Sequence, residues 1–319
     1  MEIRPFAEDD IDGAGALLAT RHTRHRAAEP LLDARYASAE GATRAVADLW
    51  AVEGASGAVA ASGGRLVGFL LGTPAPTAAW GPNAWVQAAG HAAVDAETVR
   101  DLYALAAARW VADGATAHYA VVPSHDAALV DAWFRLGFGQ QQVHALREAP
   151  APGAGAAASV RVRRAVPSDA PALAELDLTL PRHQVRAPVF SGRQPPSFAD
   201  ALAEERESIG DPDYATFVAE LDGSVVGSAV GCSVEHSRMH SGPARPDAAG
   251  YLAFAAVLPG FRGRGVGRVL GETVLSWTAE AGYRTAVTDW RATNLLSSRT
   301  WPRLGFRPSF LRLHRVVGY

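Results

Sequence analysis

Residues 257–270 read VLPGFRGRGVGRVL, and this stretch decides the fold more than any other. An apolar run from Tyr251 to Val257 leads into it and a helix-patterned run follows, which predicts a strand, a turn and a helix. The unpaired N–H groups and the dipole of a helix N-terminus favour an anion. Glycines let the backbone approach phosphate closely, while Arg262 and Arg264 add matching donors. The stretch therefore predicts a seat for a pyrophosphate.

Three nucleotide-binding loops have this glycine-rich character. A Walker A loop ends in Gly-Lys-Ser/Thr, and the sequence contains no lysine. A dinucleotide fingerprint needs Gly-x-Gly-x-x-Gly directly after a strand, whereas here the third glycine falls one place early and Pro259 intervenes. The loop instead resembles motif A of the GNAT acetyltransferase superfamily, Arg/Gln-x-x-Gly-x-Gly/Ala, with Arg262, Gly265 and Gly267 at its defining positions. The alternative is a Gly-rich turn with a solvated arginine pair.

A second segment, residues 292–306, reads ATNLLSSRTWPRLGF and resembles motif B of the same superfamily. The resemblance implies that strand-end amides contact the thioester oxygen, that the Gly-rich turn holds the pyrophosphate, and that motif B lines the pantetheine arm. The implied acetyl-coenzyme A site comprises Ala256, Val257, Arg262, Gly263, Arg264, Gly265, Val266, Gly267, Asn294 and Ser297. Trp301 occupies the position where the family often places a Tyr acid, and an indole N–H is no usable proton donor.

A general base is harder to identify than the cofactor site. It needs reach to the amine and a pKa near neutrality. We favour Asp289 because it ends the strand that leads into motif B, and we treat Asp289 and Trp301 as the candidate catalytic residues. The other candidates lie before or at the start of the motif A strand, and each is equally consistent with a solvated loop or strand-end role: Glu235, His236, His240 and Tyr251.

The chain contains an internal repeat. WFRLGF at 133–138 echoes WPRLGF at 301–306, and a linker-like run rich in Ala, Pro and Gly lies between them. We predict two tandem GNAT-like α/β domains, 1–149 and 160–319, joined by a linker at 150–159, each with a mixed central sheet flanked by helices. The first domain lacks the Gly-x-Gly loop and has Asp126 where the second has Asn294, so we expect it not to bind coenzyme A.

The second half alternates between strand and helix patterns. Strands are predicted near 160–166, 216–221, 224–233, 250–257, 284–290 and 308–316. Helices are predicted near 168–179, 197–209, 265–281 and 295–304, with Pro302 near the end of the last one or bending it.

Composition excludes several classes of protein. A net charge of −3 over 319 residues indicates neither a nucleic-acid partner nor a membrane surface. The lone cysteine, Cys232, allows no internal disulfide, and no signal peptide or spanning run is present, so we expect a cytoplasmic protein. His236 and His240 are four residues apart in a loop with no obvious third ligand, so we predict no metal. The oligomeric state stays open.

These observations predict an N-acetyltransferase that moves an acetyl group from acetyl-coenzyme A to the amine of a small molecule by direct attack in a ternary complex. One alternative is a non-catalytic coenzyme A-binding module, because Trp301 replaces Tyr and no base is evident. Another is an acyltransferase for a longer acyl-coenzyme A, because Ala253, Ala255 and Ala256 leave space near the thioester.

Overall fold

The computed structural model describes residues 1–75, 81–151, 160–191 and 195–318, within which the chain forms thirteen strands and eight α-helices. The predicted α/β class is confirmed. Contacts divide the chain into two compact units. Unit 1 comprises Met1–His144, Met239–Asp247 and Pro308–Tyr319, and unit 2 comprises Ala145–Arg238 and Ala248–Arg307. Apart from its first two residues, the predicted linker at 150–159 lies outside the described residues.

Unit 1 contains an antiparallel sheet in the order β1-β2-β3-β5, and a second strand set in which β4 pairs parallel with β6 and β6 pairs antiparallel with β13. Its elements are β1 (Glu2–Pro5), α1 (Ile11–Ala28), α2 (Ala39–Trp50), β2 (Ser56–Ser62), β3 (Arg65–Gly72), β4 (Asn83–Val86), β5 (His91–Ala93), α3 (Thr98–Ala112), β6 (Ala117–Pro123), α4 (Ala127–Arg135), most of β7 (Gly139–Glu148) and nearly all of β13 (Arg307–Val316). Unit 1 ends within β7, at His144, and resumes at Pro308, the second residue of β13.

The last strand of the chain belongs to unit 1, which differs from the predicted division at 149 and 160. Phe310 and Leu313 have no exposed surface, and they pair with Pro123 and Ala120 of β6. Leu313 is part of the same apolar core as Trp133. Burial of these side chains against unit 1 therefore places the strand there, although an alternating pattern alone does not name the partner strand.

Unit 2 is built on a sheet in the order β12-β11-β10-β9-β8, antiparallel except for the parallel pair β11–β12. Its elements are β8 (Arg161–Arg164), α5 (Ala170–Gln184), α6 (Phe198–Ser208), β9 (Tyr214–Leu221), β10 (Ser224–Ser233), β11 (Ala249–Val257), α7 (Val266–Glu280), β12 (Thr285–Arg291) and α8 (Leu295–Thr300). The predicted strands from 216 to 290 are confirmed to within two residues.

Two predicted helix ends in unit 2 are wrong. Helix α5 continues to Gln184 rather than ending near 179, although Pro181 lies inside it. Burial of Leu178 and Thr179 against the unit outweighs the hydrogen bond that the proline removes. Helix α8 ends at Thr300 rather than near 304, because Pro302 begins a separate 3-10 turn, Pro302–Leu304. No helix in the described ranges is long and apolar enough to span a membrane.

Buried histidines make the stability of unit 1 sensitive to acid. Burial lowers the pKa of His22 to about 4, of His25 to about 2 and of His91 to about 3, while the unfolded chain keeps values near 6.5. Below about pH 6.5 the unfolded state takes up protons that the folded state does not, so stability is lost as the pH falls. At pH 5 each histidine removes about 2 kcal/mol of the free energy of unfolding.

Between pH 7.5 and pH 5, we expect the free energy of unfolding of His25→Leu to fall by about 2 kcal/mol less than that of the parent, because one buried imidazole no longer resists protonation. Urea unfolding at the two pH values measures this difference. His236→Gln is the matched control, because that ring is one-third exposed. If acid lowers the free energy of unfolding of the parent and of His25→Leu by the same amount, burial of His25 is not a cause of the acid sensitivity.

Candidate active site

The predicted phosphate turn adopts the geometry that its glycines allow. Gly263 and Gly265 have φ values of 77° and 81°, in the left-handed region, and open space lies where a Cβ would stand. Gly265 is the N-cap of α7 and offers no capping side chain, so the first N–H groups of the helix stay available to a ligand. The backbone here therefore has the geometry that an anion site requires, and the anion site itself stays a prediction.

A cavity of about 450 Å³ opens onto this turn. Of the predicted site residues, Ala256, Val257, Arg262, Gly263, Gly265, Val266, Gly267, Asn294, Ser297 and Trp301 line it. Arg264 lies outside the lining, and its guanidinium stacks over the ring of Phe261 at 5.4 Å. Asp289 also lies outside it. The structure thus gathers most of the predicted coenzyme A residues around one space of suitable size for a small-molecule ligand.

Arg262 is held in place by the strand that precedes it. Its Nε donates a hydrogen bond to the carbonyl of Val257, 3.2 Å away. Partial burial lowers the pKa of Arg262, because the charged form loses some of its hydration. A bound anion would restore that lost stabilisation, so the side chain is suited to a phosphate ligand.

Asn294 is the N-cap residue of α8 and lines the same cavity. Its Oδ1 accepts hydrogen bonds from the backbone N–H groups of Leu296 at 3.2 Å and Ser297 at 3.4 Å. The same oxygen lies 3.3 Å from Nε2 of His183, a residue of α5 that also lines the cavity. His183 was not among the predicted site residues, because this helix was predicted to end near 179.

The strand amides differ in direction. Leu258 N–H donates to the carbonyl of Val226 on β10, and Ala256 is paired with Ser228 two residues along. Because N–H directions alternate along a strand, the Ala256 amide also points toward β10 and the Val257 amide points away from it. The Ala256 amide is thus used within the sheet, unlike what was expected for it, and the Val257 amide lies on the other side of the strand.

Strands β11 and β12 stop pairing partway along their length. The ladder runs from Ala249 to Leu252 opposite Thr285 to Thr288, although both strands continue. On the β10 side, Val230 pairs with Phe254 and Gly231 with Leu252, so Ala253 is an extra, bulged residue. The bulge bends β11 at the point where its pairing with β12 ends, which opens the sheet beside the cavity.

Asp289 directly follows Thr288, the last residue of β12 that pairs with β11, and so lies where the two strands separate. Tyr251 O–H donates to its Oδ1 at 2.6 Å. Burial and then the Asp289 carboxylate raise the pKa of Tyr251 well above its usual value, so the phenol remains a donor. Asp289 thus has one oxygen held in position by a buried hydroxyl.

The remaining candidates for the general base, Glu235, His236 and His240, do not line the cavity. His236 lies 3.8 Å from the Asp213 carboxylate, and Glu235 belongs to a 3-10 turn capped by Ser233. His240 belongs to unit 1, where its ring packs edge-on against His144 at 4.8 Å. Trp301 is buried against α7, at 6% exposure, and its indole cannot take the acid role of a Tyr.

Comparisons with known proteins find a matching family and several relatives. A family model described as "Acetyltransferase (GNAT) family" matches residues 182–306. Aminoglycoside N(6')-acetyltransferase type 1 of Stenotrophomonas maltophilia is 31% identical over 151 residues, 47% of this chain and 88% of that protein. The enzyme of that name in Salmonella typhimurium is 30% identical over 118 residues, 37% of this chain and 77% of that protein.

A solved structure covers nearly the whole chain. The GCN5-related N-acetyltransferase from Sphaerobacter thermophilus matches 99% of this chain and 95% of its own, with a TM-score of 0.60 and 16% identity. At this identity the match concerns the fold alone, and it extends over both units.

Proposed function

Because the chain belongs to the acetyltransferase (GNAT) family, we propose that unit 2 transfers the acetyl group of acetyl-coenzyme A to the amine of a small molecule. One observation carries the choice of donor: the uncapped N-terminus of α7, framed by Gly263, Gly265 and Arg262, opens into a cavity that Asn294 also lines. The pyrophosphate of coenzyme A suits the uncapped helix N-terminus, and its amide-containing pantetheine arm suits the part of the cavity near Asn294.

The proposed role of the strand residues is to hold the thioester and receive the amine. The Val257 N–H stabilises the oxyanion that forms when the amine attacks, an effect worth about 3 kcal/mol for one well-placed donor. Asp289 accepts the proton that the amine loses, directly or through water. Positioning of the two reactants contributes further, since attack within a complex replaces an encounter in solution.

A cluster of carboxylates lies on α5 and α6, outside the lining of the cavity. Burial, followed by the nearby carboxylates of Asp177 and Glu204, raises the pKa of Glu205 to about 7. A cluster of like charges is relieved by a bound cation. The relatives are named for acetylating aminoglycosides, so aminoglycosides head the panel of acceptors to be tested.

The test is release of coenzyme A thiol from acetyl-coenzyme A in the presence of a panel of amines, beginning with aminoglycosides. We expect release that depends on both substrates and saturates with each. Binding of acetyl-coenzyme A without release for any amine would favour the non-catalytic module. Faster release from a longer acyl-coenzyme A would favour the broader acyltransferase.

We expect Asp289→Asn to lower kcat about 100-fold while leaving the Kd for acetyl-coenzyme A unchanged, because the base is lost and the residue lies outside the cavity. Asparagine still accepts the hydrogen bond from Tyr251, so the fold is retained. Steady-state kinetics and calorimetric titration measure the two quantities. Glu235→Gln is the matched carboxylate control and stays near the parent. A kcat within twofold of the parent for Asp289→Asn would remove Asp289 from the mechanism.

A further inference from the structure

We propose that His183 is the catalytic proton donor to the departing thiolate of coenzyme A, an inference that rests on the proposed function. The need for such a donor arises at position 301, where the buried Trp301 has no proton to give. The structure offers one replacement from a different element, the last turn of α5.

His183 reaches the cavity only because α5 continues beyond Pro181 to Gln184. Its side chain lines the 450 Å³ cavity and also an adjoining space of about 160 Å³ that borders Arg262. Thr179, one turn earlier on the same face of the helix, lines both spaces as well. The imidazole therefore lines the same spaces as Arg262 of the phosphate turn and contacts Asn294, the cap of α8.

Among the described residues that line the cavity, His183 carries the one imidazole, the side chain that proteins use most often as a general acid or base. The hydroxyl groups are far weaker acids, and the guanidinium groups stay charged. The hydroxyls belong to Thr179, Ser297 and Thr300, and the guanidinium groups to Arg262, Arg268 and Arg303. The imidazole is thus the group whose chemistry fits a proton transfer to sulfur.

The α8 cap determines which ring nitrogen is available. Two backbone N–H groups, of Leu296 and Ser297, point at one side-chain atom of Asn294, which identifies that atom as the amide oxygen. An amide oxygen only accepts, so Nε2 of His183 must donate to it in the neutral and the charged ring alike. Nδ1 is then the nitrogen that gains and loses the proton, and Asn294 orients the ring.

The proton balance closes. The amine nitrogen forms a bond to the acetyl carbon, and the carbonyl electron pair moves to the oxygen, which accepts a hydrogen bond from the Val257 N–H. Collapse of this intermediate breaks the C–S bond, and the sulfur leaves with the bonding pair and takes the Nδ1 proton of His183. The products are the amide and the free thiol, His183 is neutral, and Asp289 holds the proton from the amine. Exchange with solvent resets both residues.

His183→Gln separates this role from a structural one. The glutamine amide nitrogen can still donate to Asn294 Oδ1, but it has no proton to transfer. We expect kcat to fall about 100-fold and the Kd for acetyl-coenzyme A to stay within threefold of the parent. The decline of kcat at alkaline pH, which reports loss of the donor's proton, should disappear in the variant.

His183→Ala provides a second readout on the full-length protein, with an amine that the parent acetylates. Added imidazole should restore part of its kcat in a saturable manner, and should leave the parent and His236→Ala unchanged. A kcat within twofold of the parent for His183→Gln overturns the inference while the proposed function stands. So does a loss confined to Kd with no rescue of His183→Ala. If acetyl-coenzyme A binds the parent and no amine releases thiol, both are overturned.

Discussion

Replacing Gly265 with Glu is expected to weaken the binding of acetyl-coenzyme A about 1000-fold. The glycine has a φ of 81°, and a side chain there costs about 1–2 kcal/mol in the left-handed region. The new carboxylate would also stand at the N-cap of α7, where the pyrophosphate is proposed to bind. Two like charges about 5 Å apart near a protein surface repel by about 3 kcal/mol. The strain is the same with and without the ligand and does not enter the Kd. The pyrophosphate of coenzyme A carries two negative charges, so the repulsion alone gives the expected loss in calorimetric titration.

Gly223→Glu is the matched control for this variant. Gly223 has a φ of 76° and open space around its missing Cβ, so the substitution adds the same strain and charge. It lies between β9 and β10, away from the cavity lining. We expect its affinity for acetyl-coenzyme A to match the parent. Equal affinities for the parent and Gly265→Glu would mean that the anion seat is not used.

Phe310→Ala is expected to lower the free energy of unfolding by about 3–5 kcal/mol, the usual cost of truncating a fully buried Phe. The ring has no exposed surface and contacts the ring of His25 edge-on at 4.7 Å. Urea unfolding at neutral pH measures the loss. Phe190→Ala removes the same atoms from a side chain that is 73% exposed, and we expect a change of less than about 0.5 kcal/mol. Similar losses in the two variants would contradict the place of β13 in the unit 1 core.

Local features of the fold could be predicted from the sequence because they have local causes. The strand, turn and helix around Gly265 follow from an apolar run, a pair of left-handed glycines and a helical repeat. The cap at Asn294 follows in the same way, because an amide side chain before a helical segment bonds to the N–H groups that follow it. The match to the family model spans both features.

Features that depend on distant contacts could not be predicted in this way. The first helix of the second half was predicted to end near 179, yet α5 continues past Pro181 to Gln184 and brings His183 to Asn294, 111 residues away in sequence. The partner of β13 is likewise decided by which core buries Phe310. The bulge at Ala253 exists only as an offset between β10 and β11, which no spacing within either strand reveals.

The central claim is that unit 2 joins the acetyl group of acetyl-coenzyme A to an acceptor amine. The most direct measurement is mass spectrometry of an aminoglycoside incubated with acetyl-coenzyme A and the full-length protein, together with the amount of thiol released. The account predicts a monoacetylated product in equal amount to the thiol, and none with Gly265→Glu. Thiol release without acetylated product, or equal product from Gly265→Glu, would contradict it.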